Sequence, residues 1–302
     1  MSLNSVNTNI GAQVALQSLN RTNSQLQATE KRISTGYRVA DATDDGGAYA
    51  IAQNVRASVG GLTTANQQLG NAQGLVGRTV SALTTLSDSV NTAKSLLVQI
   101  ADGSIADNQR NQYVASYISL VKQVANTVDG ASYNGQTLVG SASGSVAGNA
   151  KSVISSDSGA TLGLSAEDNS GLASTLASLI GATFSRSAAG VDTISSPTAS
   201  AAQTNASTAL TATSGTTAFS TAQTGLANQL NQAGADSKFL TATITDNSNK
   251  IDSLNAGLGA LVDADLSKES ANLQALQIRQ QLGTQALSLA NQAPQSLLSL
   301  FK

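Results

Sequence analysis

Residues 32 to 52, RISTGYRVADATDDGGAYAIA, gather three aspartates, three glycines and two arginines. Clustered carboxylates beside glycine suit either a metal loop or an acid/base pair. Asp41, Thr43, Asp45 and Gly46 fall on positions 1, 3, 5 and 6 of a calcium loop of the EF-hand kind. Its twelfth position needs a bidentate Glu but holds Ala52, and its ninth holds Tyr49, so the loop lacks its principal ligand. Asp44 and Asp45 are adjacent at a helix start, where two side chains rarely converge on one substrate atom. The spacing predicts a structural use: Asp44 caps a long helix, Asp45 lies in its first turn, and Gly46, Gly47 and Ala48 permit tight helix packing.

Other chemistry is scarce. The 302-residue chain has no Cys and no His, which removes disulfides, thiolate metal sites, the commonest general base and any Ser-His or Cys-His triad. It holds no G-x-x-x-x-G-K-[ST] loop, G-x-S-x-G elbow or H-E-x-x-H pair. Asp157, Glu167 and Asp168 are the few carboxylates of the middle region, and no motif organises them for an Asp/Ser active site. Asn20-Arg21-Thr22 and Asn205-Ala206-Ser207 match the N-glycosylation pattern, as chance easily allows; Ser/Thr-rich residues 141–214 are either an O-glycan carrier or a merely soluble loop. The reading is of a protein with no catalytic, cofactor or metal residues.

Composition bounds the rest. Charged residues are 11% of the chain, against about 25% in ordinary globular proteins, and aromatics are 3%. Such a chain buries its surface without much aromatic area and carries few charges to hold copies of itself apart. A net charge of −2 gives no footprint for nucleic acid. No run of about eighteen apolar residues spans a membrane. Met1 to Asn20 lacks a basic start followed by an apolar run, so no cleaved leader is expected, and by itself this reads as cytosolic.

The elements that must carry these residues are helices. Val55, Leu62, Leu69, Val76, Leu83, Val90 and Leu97 recur every seven residues, with Ile51, Ala65, Ala72, Leu86, Ala93 and Ile100 in the intervening positions. This a/d seam predicts a helix from about 45 to 101, roughly 80 Å long. Gly70, Gly74 and Gly77 lie on its opposite face: either a tolerated glycine-rich surface, or a close approach by a second helix or subunit. Asp102-Gly103 punctuates the chain, and Val114, Ile118, Val121, Ala125 and Val128 predict a second helix over 107–129. Tyr133-Asn134-Gly135 reads as a turn.

Over 141–214, Ser, Thr, Ala and Gly make up about two-thirds of residues without a sustained period, which leaves open a small module of strands and loops or a loosely ordered insertion. Periodicity returns with Phe219, Leu226, Leu230, Ala233, Leu240, Ile244, Ile251, Leu254, Leu258 and Leu261, predicting a helix over about 217–258. The phase then slips, with Gly257 and Gly259 as the expected joint, and resumes at Val262, Leu266, Leu273, Leu276, Leu287, Ala290 and Leu297. Leu3, Val6, Ile10, Leu16, Leu19, Leu26 and Ile33 make a matching N-terminal stripe. The fold class is therefore mainly α: a long antiparallel helical hairpin or coiled-coil bundle with a small central β/loop insertion. Each terminal stripe is narrow and rich in Ala and Gln, so the ends are expected to order fully only when partners supply the missing surface.

Several segments resemble one family. Ser5-Val6-Asn7-Thr8-Asn9, Arg32 to Arg38, Asp44-Asp45 and Ala50-Ile51-Ala52 are similar to the N-terminal pattern of bacterial flagellins. Val262 to Asp265, Gln280 to Thr284, Ala290 to Gln295 and Leu297 to Phe301 resemble the C-terminal one, so the likeness covers roughly residues 1–140 and 217–302. It implies a structural subunit that self-assembles into the helical flagellar filament for swimming motility. It also implies three regions: 1–43 with 258–302 as an inner coiled coil, 44–140 with 215–257 as a helical rod, and 141–214 as a solvent-facing outer insertion. The assembly residues implied are Leu3, Val6, Ile10, Leu19, Leu26, Arg32, Ile33, Gly36, Asp44, Asp45, Leu266, Leu273, Leu276, Leu287, Asn291, Gln292, Pro294, Leu297 and Leu300. Partners implied are copies of itself, junction and cap proteins of the same axis, the flagellar export apparatus and a secretion chaperone, with neither nucleic acid nor membrane. Location becomes extracellular, by export without a cleaved leader. Lys94 and Ser95 stand where some flagellins carry an Arg and a Glu read by an innate immune receptor; Lys94 cannot reproduce the Arg fork. Alternative expectations are a hook–filament junction protein, or an adhesin or polysaccharide binder displayed through residues 141–214.

Overall fold

The computed structural model describes residues 8–142, 149–187, 191–212 and 219–300, with side chains described as far as residue 292 in the last stretch. Helices dominate: α1 (Ile10–Thr35), α2 (Gly46–Ala101), α3 (Asp107–Asp129), α4 (Leu172–Ser178), α5 (Ala199–Thr211), α6 (Phe219–Val262) and α7 (Leu266–Leu300). Two antiparallel hairpins interrupt them, β1 (Lys151–Ile154) with β2 (Thr161–Leu164), and β3 (Phe184–Arg186) with β4 (Asp192–Ile194). No described helix is long and apolar enough to cross a membrane. The chain forms two compact units, Met1–Val59 with Asp252–Lys302, and Gly60–Ile251.

In the second unit the seven-residue seam of α2 is the floor of the core. Leu83, Leu86, Leu97 and Ile100 are fully buried, and α3 lays Val114, Tyr117, Val121, Val124 and Val128 against them. Small side chains replace aromatic bulk, as the composition requires: Ala202, Ala206 and Ala209 of α5 and Ala173 and Ala177 of α4 close the same cluster. Tyr117 is the large exception. Its hydroxyl donates to Leu176 O at 2.9 Å, and burial raises its pKa. On the other side of α2, Asn66 accepts from Asn247 Nδ2 at 3.0 Å and Gln73 donates to Thr241 at 3.2 Å, setting α2 and α6 antiparallel.

Several expectations change here. Gly257 and Gly259 do not break the helix; α6 continues through them to Val262, and the chain turns at Asp263-Ala264-Asp265. Two glycines weaken a helix by about 1 kcal/mol each without ending it when flanking Leu residues stay packed. Ile51 faces outward at 56% exposure, because Ala48 and Ala52 hold the buried positions at that end of α2. Of the three off-seam glycines, Gly74 alone is approached closely, by a ring and not a helix: a Cβ there would lie 2.7 Å from Tyr133 Cζ. Gly70 and Gly77 face open space. Residues 141–214 hold two helices as well as strands; the 13-residue α5 arises from alanines at 199, 202, 206 and 209.

Candidate assembly surface

The first unit begins from the stretch that opened the sequence. Thr35 ends α1, and Gly36 closes it in the left-handed region at φ 75° with its N–H on Arg32 O, a conformation open to glycine without strain. The next residues run beside 262–264. Arg38 N–H donates to Val262 O at 2.7 Å, Ala264 N–H donates to Gly36 O at 2.9 Å, and Tyr37 bridges Asp263. Val39, Ala48, Ala52 and Val262 seal a small apolar core under this joint.

Both strands leave the joint through an aspartate cap. Asp45 Oδ1 accepts from the N–H groups of Gly47 at 3.1 Å and Ala48 at 3.0 Å, opening α2. Asp265 Oδ1 accepts from Ser267 at 3.0 Å and Lys268 at 3.2 Å, opening α7. Asp45 rather than Asp44 is therefore the cap. Asp44 Oδ2 instead accepts from Ala40 N–H at 3.0 Å and pairs with Lys31 Nζ at 3.0 Å, while Asp41 Oδ2 takes Lys31 Nζ at 2.7 Å. The adjacent carboxylates thus turn to different partners and converge on nothing. Hydrogen bonding by Lys31 holds the Asp41 carboxyl well below the usual carboxylate range and lowers Asp44 too; the same contacts raise Lys31. Gly46 and Gly47 stay exposed, so the tight packing expected there rests on Ala48 alone.

Beyond the joint, α1 and α7 pair antiparallel. Arg32 meets Glu269 at 3.5 Å, Gln280 donates to Asn23 at 2.8 Å, and Asn9 Nδ2 donates to Ala290 O at 2.7 Å while its Oδ1 caps α1 through Ala12 N–H. The pair is thinly sealed. Thr29 is the one buried residue described in the 26-residue α1. Val14 is 61% exposed, Ile278 and Leu282 are 58% exposed and Leu289 is 71% exposed. Apolar side chains of this size on two facing helices form a surface that still lacks its cover.

Comparisons with known proteins agree from end to end. The profile described as the bacterial flagellin N-terminal helical region matches residues 6–144, and that of the bacterial flagellin C-terminal helical region matches residues 216–301. The chain belongs to the bacterial flagellins. It is 36% identical over 302 residues to flagellin FljK of Caulobacter vibrioides, covering all of both chains. It is also 32% identical over 316 residues to a flagellin of Brucella melitensis biotype 1, covering 99% of each. A third relative, flagellin C of Rhizobium meliloti, is 30% identical over 324 residues. This flagellin is accordingly a structural subunit of the flagellar filament, an extracellular appendage built by self-polymerisation, within a structural rather than enzymatic family.

The residues singled out in the sequence of this flagellin fall in four places. Leu19, Leu26, Arg32, Ile33, Leu273, Leu276 and Leu287 line the α1–α7 pair, half-buried except for buried Leu276. Gly36, Asp44 and Asp45 form the joint. Ile10 and Leu266 are about half exposed, at 49% and 50%, and Asn291 and Gln292 are exposed. Leu3 and Val6 lie outside the described residues, as do the side chains of Pro294, Leu297 and Leu300. Among the described residues no group of three or more acidic side chains is arranged to hold a metal.

Sequence reasoning missed Arg110. It is 3% exposed, and its guanidinium donates to the carbonyls of Ile100 at 3.1 Å, Asp102 at 2.7 Å and Ile105 at 3.3 Å while pairing with Asp107 at 2.8 Å. One side chain thereby satisfies the open carbonyls around the end of α2. Its available signal was a lone arginine just inside a helix that follows the Asp102-Gly103 break. Arg186 does similar work in the insertion, joining β3 to Asp129 of α3 and to Asp192 of β4.

Proposed function

We propose that filament assembly in this flagellin is driven by residues 1–43 and 258–302, which pair as the inner coiled coil of the filament and bury their open faces against the same helices of neighbouring copies. Residues 44–140 and 215–257 form the surrounding rod, and 141–214 face solvent. The observation that carries this reading is the exposure of Val14, Ile278, Leu282 and Leu289 on helices whose facing partner covers only one side. At about 25 cal/mol per Å² of apolar surface, covering such a stripe on every copy supplies ample gross driving force for a long polymer. The work is mechanical, in swimming, and needs no catalytic residue. Junction and cap proteins meet the ends of the polymer, and the subunit leaves the cell through the flagellar export apparatus with a secretion chaperone.

Seeded growth in a salting-out buffer tests the reading. Leu282→Asp and Leu289→Asp should leave the monomer folded by circular dichroism and abolish long filaments in electron micrographs. Filaments of ordinary length from either variant would remove the terminal faces from the mechanism.

A further inference from the structure

Residues 165–169 cross from β2 to α4 as a strap held at both ends. Ser165 N–H donates to Asp236 Oδ2 on α6 at 2.9 Å, and Asn169 Nδ2 donates to Gln229 Oε1 on the same helix at 2.8 Å. Between them, Glu167 N–H reaches Leu138 O at 2.9 Å and Asn169 N–H reaches Val139 O at 2.8 Å. The Glu167 side chain turns inward: the residue is 3% exposed, and its Oε1 is sealed without a hydrogen-bond partner.

The charges around it do not help an ionised carboxylate. From α6 the charged group acting on Glu167 is Asp236, which has the same sign. Its neighbour on the strap, Asp168, gives its carboxylate to Ser170 N–H at 3.0 Å. The turn at 137–140 contributes main-chain groups and the Thr137 hydroxyl, itself accepting from Val139 and Gly140 N–H. Among the described residues no Lys or Arg pairs with Glu167. A sealed carboxylate without a counterion is strongly disfavoured, and a proton is the smallest thing that removes the charge. Burial, with Asp236 adding to it, pushes the Glu167 pKa up to about 7 from its ordinary 4.5.

We propose that Glu167 is a proton-operated latch: its neutral carboxyl keeps the 165–169 strap seated between the 138–139 main chain and α6, and ionisation beside Asp236 drives the strap towards water. The sign follows from linkage. Below pH 4.5 the carboxyl is protonated whether the strap is seated or free, so no bias exists. Between 4.5 and about 7 the freed strap ionises while the seated one does not, so each step up in pH favours release; above 7 the bias is constant. The latch is internal to one chain and is independent of filament growth.

Hydrogen exchange of the monomeric full-length protein from pH 5 to 8, corrected for intrinsic rates, tests it. Amides of 165–169 in the natural protein should lose protection by about ten-fold or more across this range, since one unit of pKa shift is a factor of ten. Glu167→Gln should stay protected at every pH, and Asp236→Asn should move the midpoint to lower pH. Protection independent of pH, or a Glu167→Gln profile with the slope of the natural protein, would overturn the latch. Protection regained at pH 8 on adding calcium chloride would overturn it too, by making the two carboxylates a cation site.

Discussion

Helices α1 and α3 are of similar length, 26 and 23 residues, and both carry one apolar stripe. In α3 that stripe is consumed: Val114, Tyr117, Val121, Val124, Ala125 and Val128 are all buried, together with Arg110. In α1, Thr29 is the one buried residue described. The two sequences do not differ in kind. They differ in neighbours, since α3 is covered by α2, α4 and α5, whereas α1 has α7 along one side. Amphipathicity states that a helix needs cover; only the count of packed neighbours within the chain shows whether that cover comes from itself or from other molecules.

The comparison can be broken most decisively by truncating both sides of it. Leu86→Ala in the core of the second unit should lower unfolding stability by about 2–5 kcal/mol, while Val14→Ala should change the monomer by no more than about 0.5 kcal/mol. Denaturant titrations of the two variants would decide this, and equal losses would mean that α1 is already covered in the monomer. Arg110→Ala follows, with an expected loss of roughly 3 kcal/mol because three carbonyls lose their donor in a buried place. Its thermal midpoint should fall accordingly, and a shift within error would show that water can substitute. Smaller still is Asp45→Ala, at about 1 kcal/mol for a lost cap, with Asp44→Ala expected to differ from it in leaving the start of α2 intact by hydrogen exchange. The least effect is electrostatic. Asp41 and Asp44 have lowered pKa values, so their contribution is present above the ordinary carboxylate pKa of 3.8 and fades as pH falls below it. Both groups face solvent, so salt should weaken this acid sensitivity of the joint, read as proteolysis between residues 36 and 45.

Much of the fold was legible because its long helices repeat a spacing over many turns. Bounds of 107–129 for α3 follow from five apolar positions and one Asp-Gly break, and the structure places Asp107–Asp129 there. The failures are equally local. Asp44 and Asp45 compete for one cap, and the choice depends on where Lys31 lies, ten or more residues earlier in the chain. Glycines at 257 and 259 looked like a joint, yet helix continuity was decided by the Leu258, Leu261 and Val262 packing on Val39 and Ala52. The α5 stripe is made of alanines, which look like background in a chain of this composition until four of them are seen buried together. Arg110 was hidden for a different reason. A buried arginine is defined by the carbonyls that converge on it, and no residue type announces a carbonyl.

The twin caps have a consequence for load. Where Asp45 and Asp265 restart their helices, two non-helical strands lie side by side, laced by main-chain bonds from Arg38 to Val262 and from Ala264 to Gly36. A tug on either strand is therefore passed to the other before it can lengthen, so tension is shared across a pair of short tethers and neither serves as a weak link.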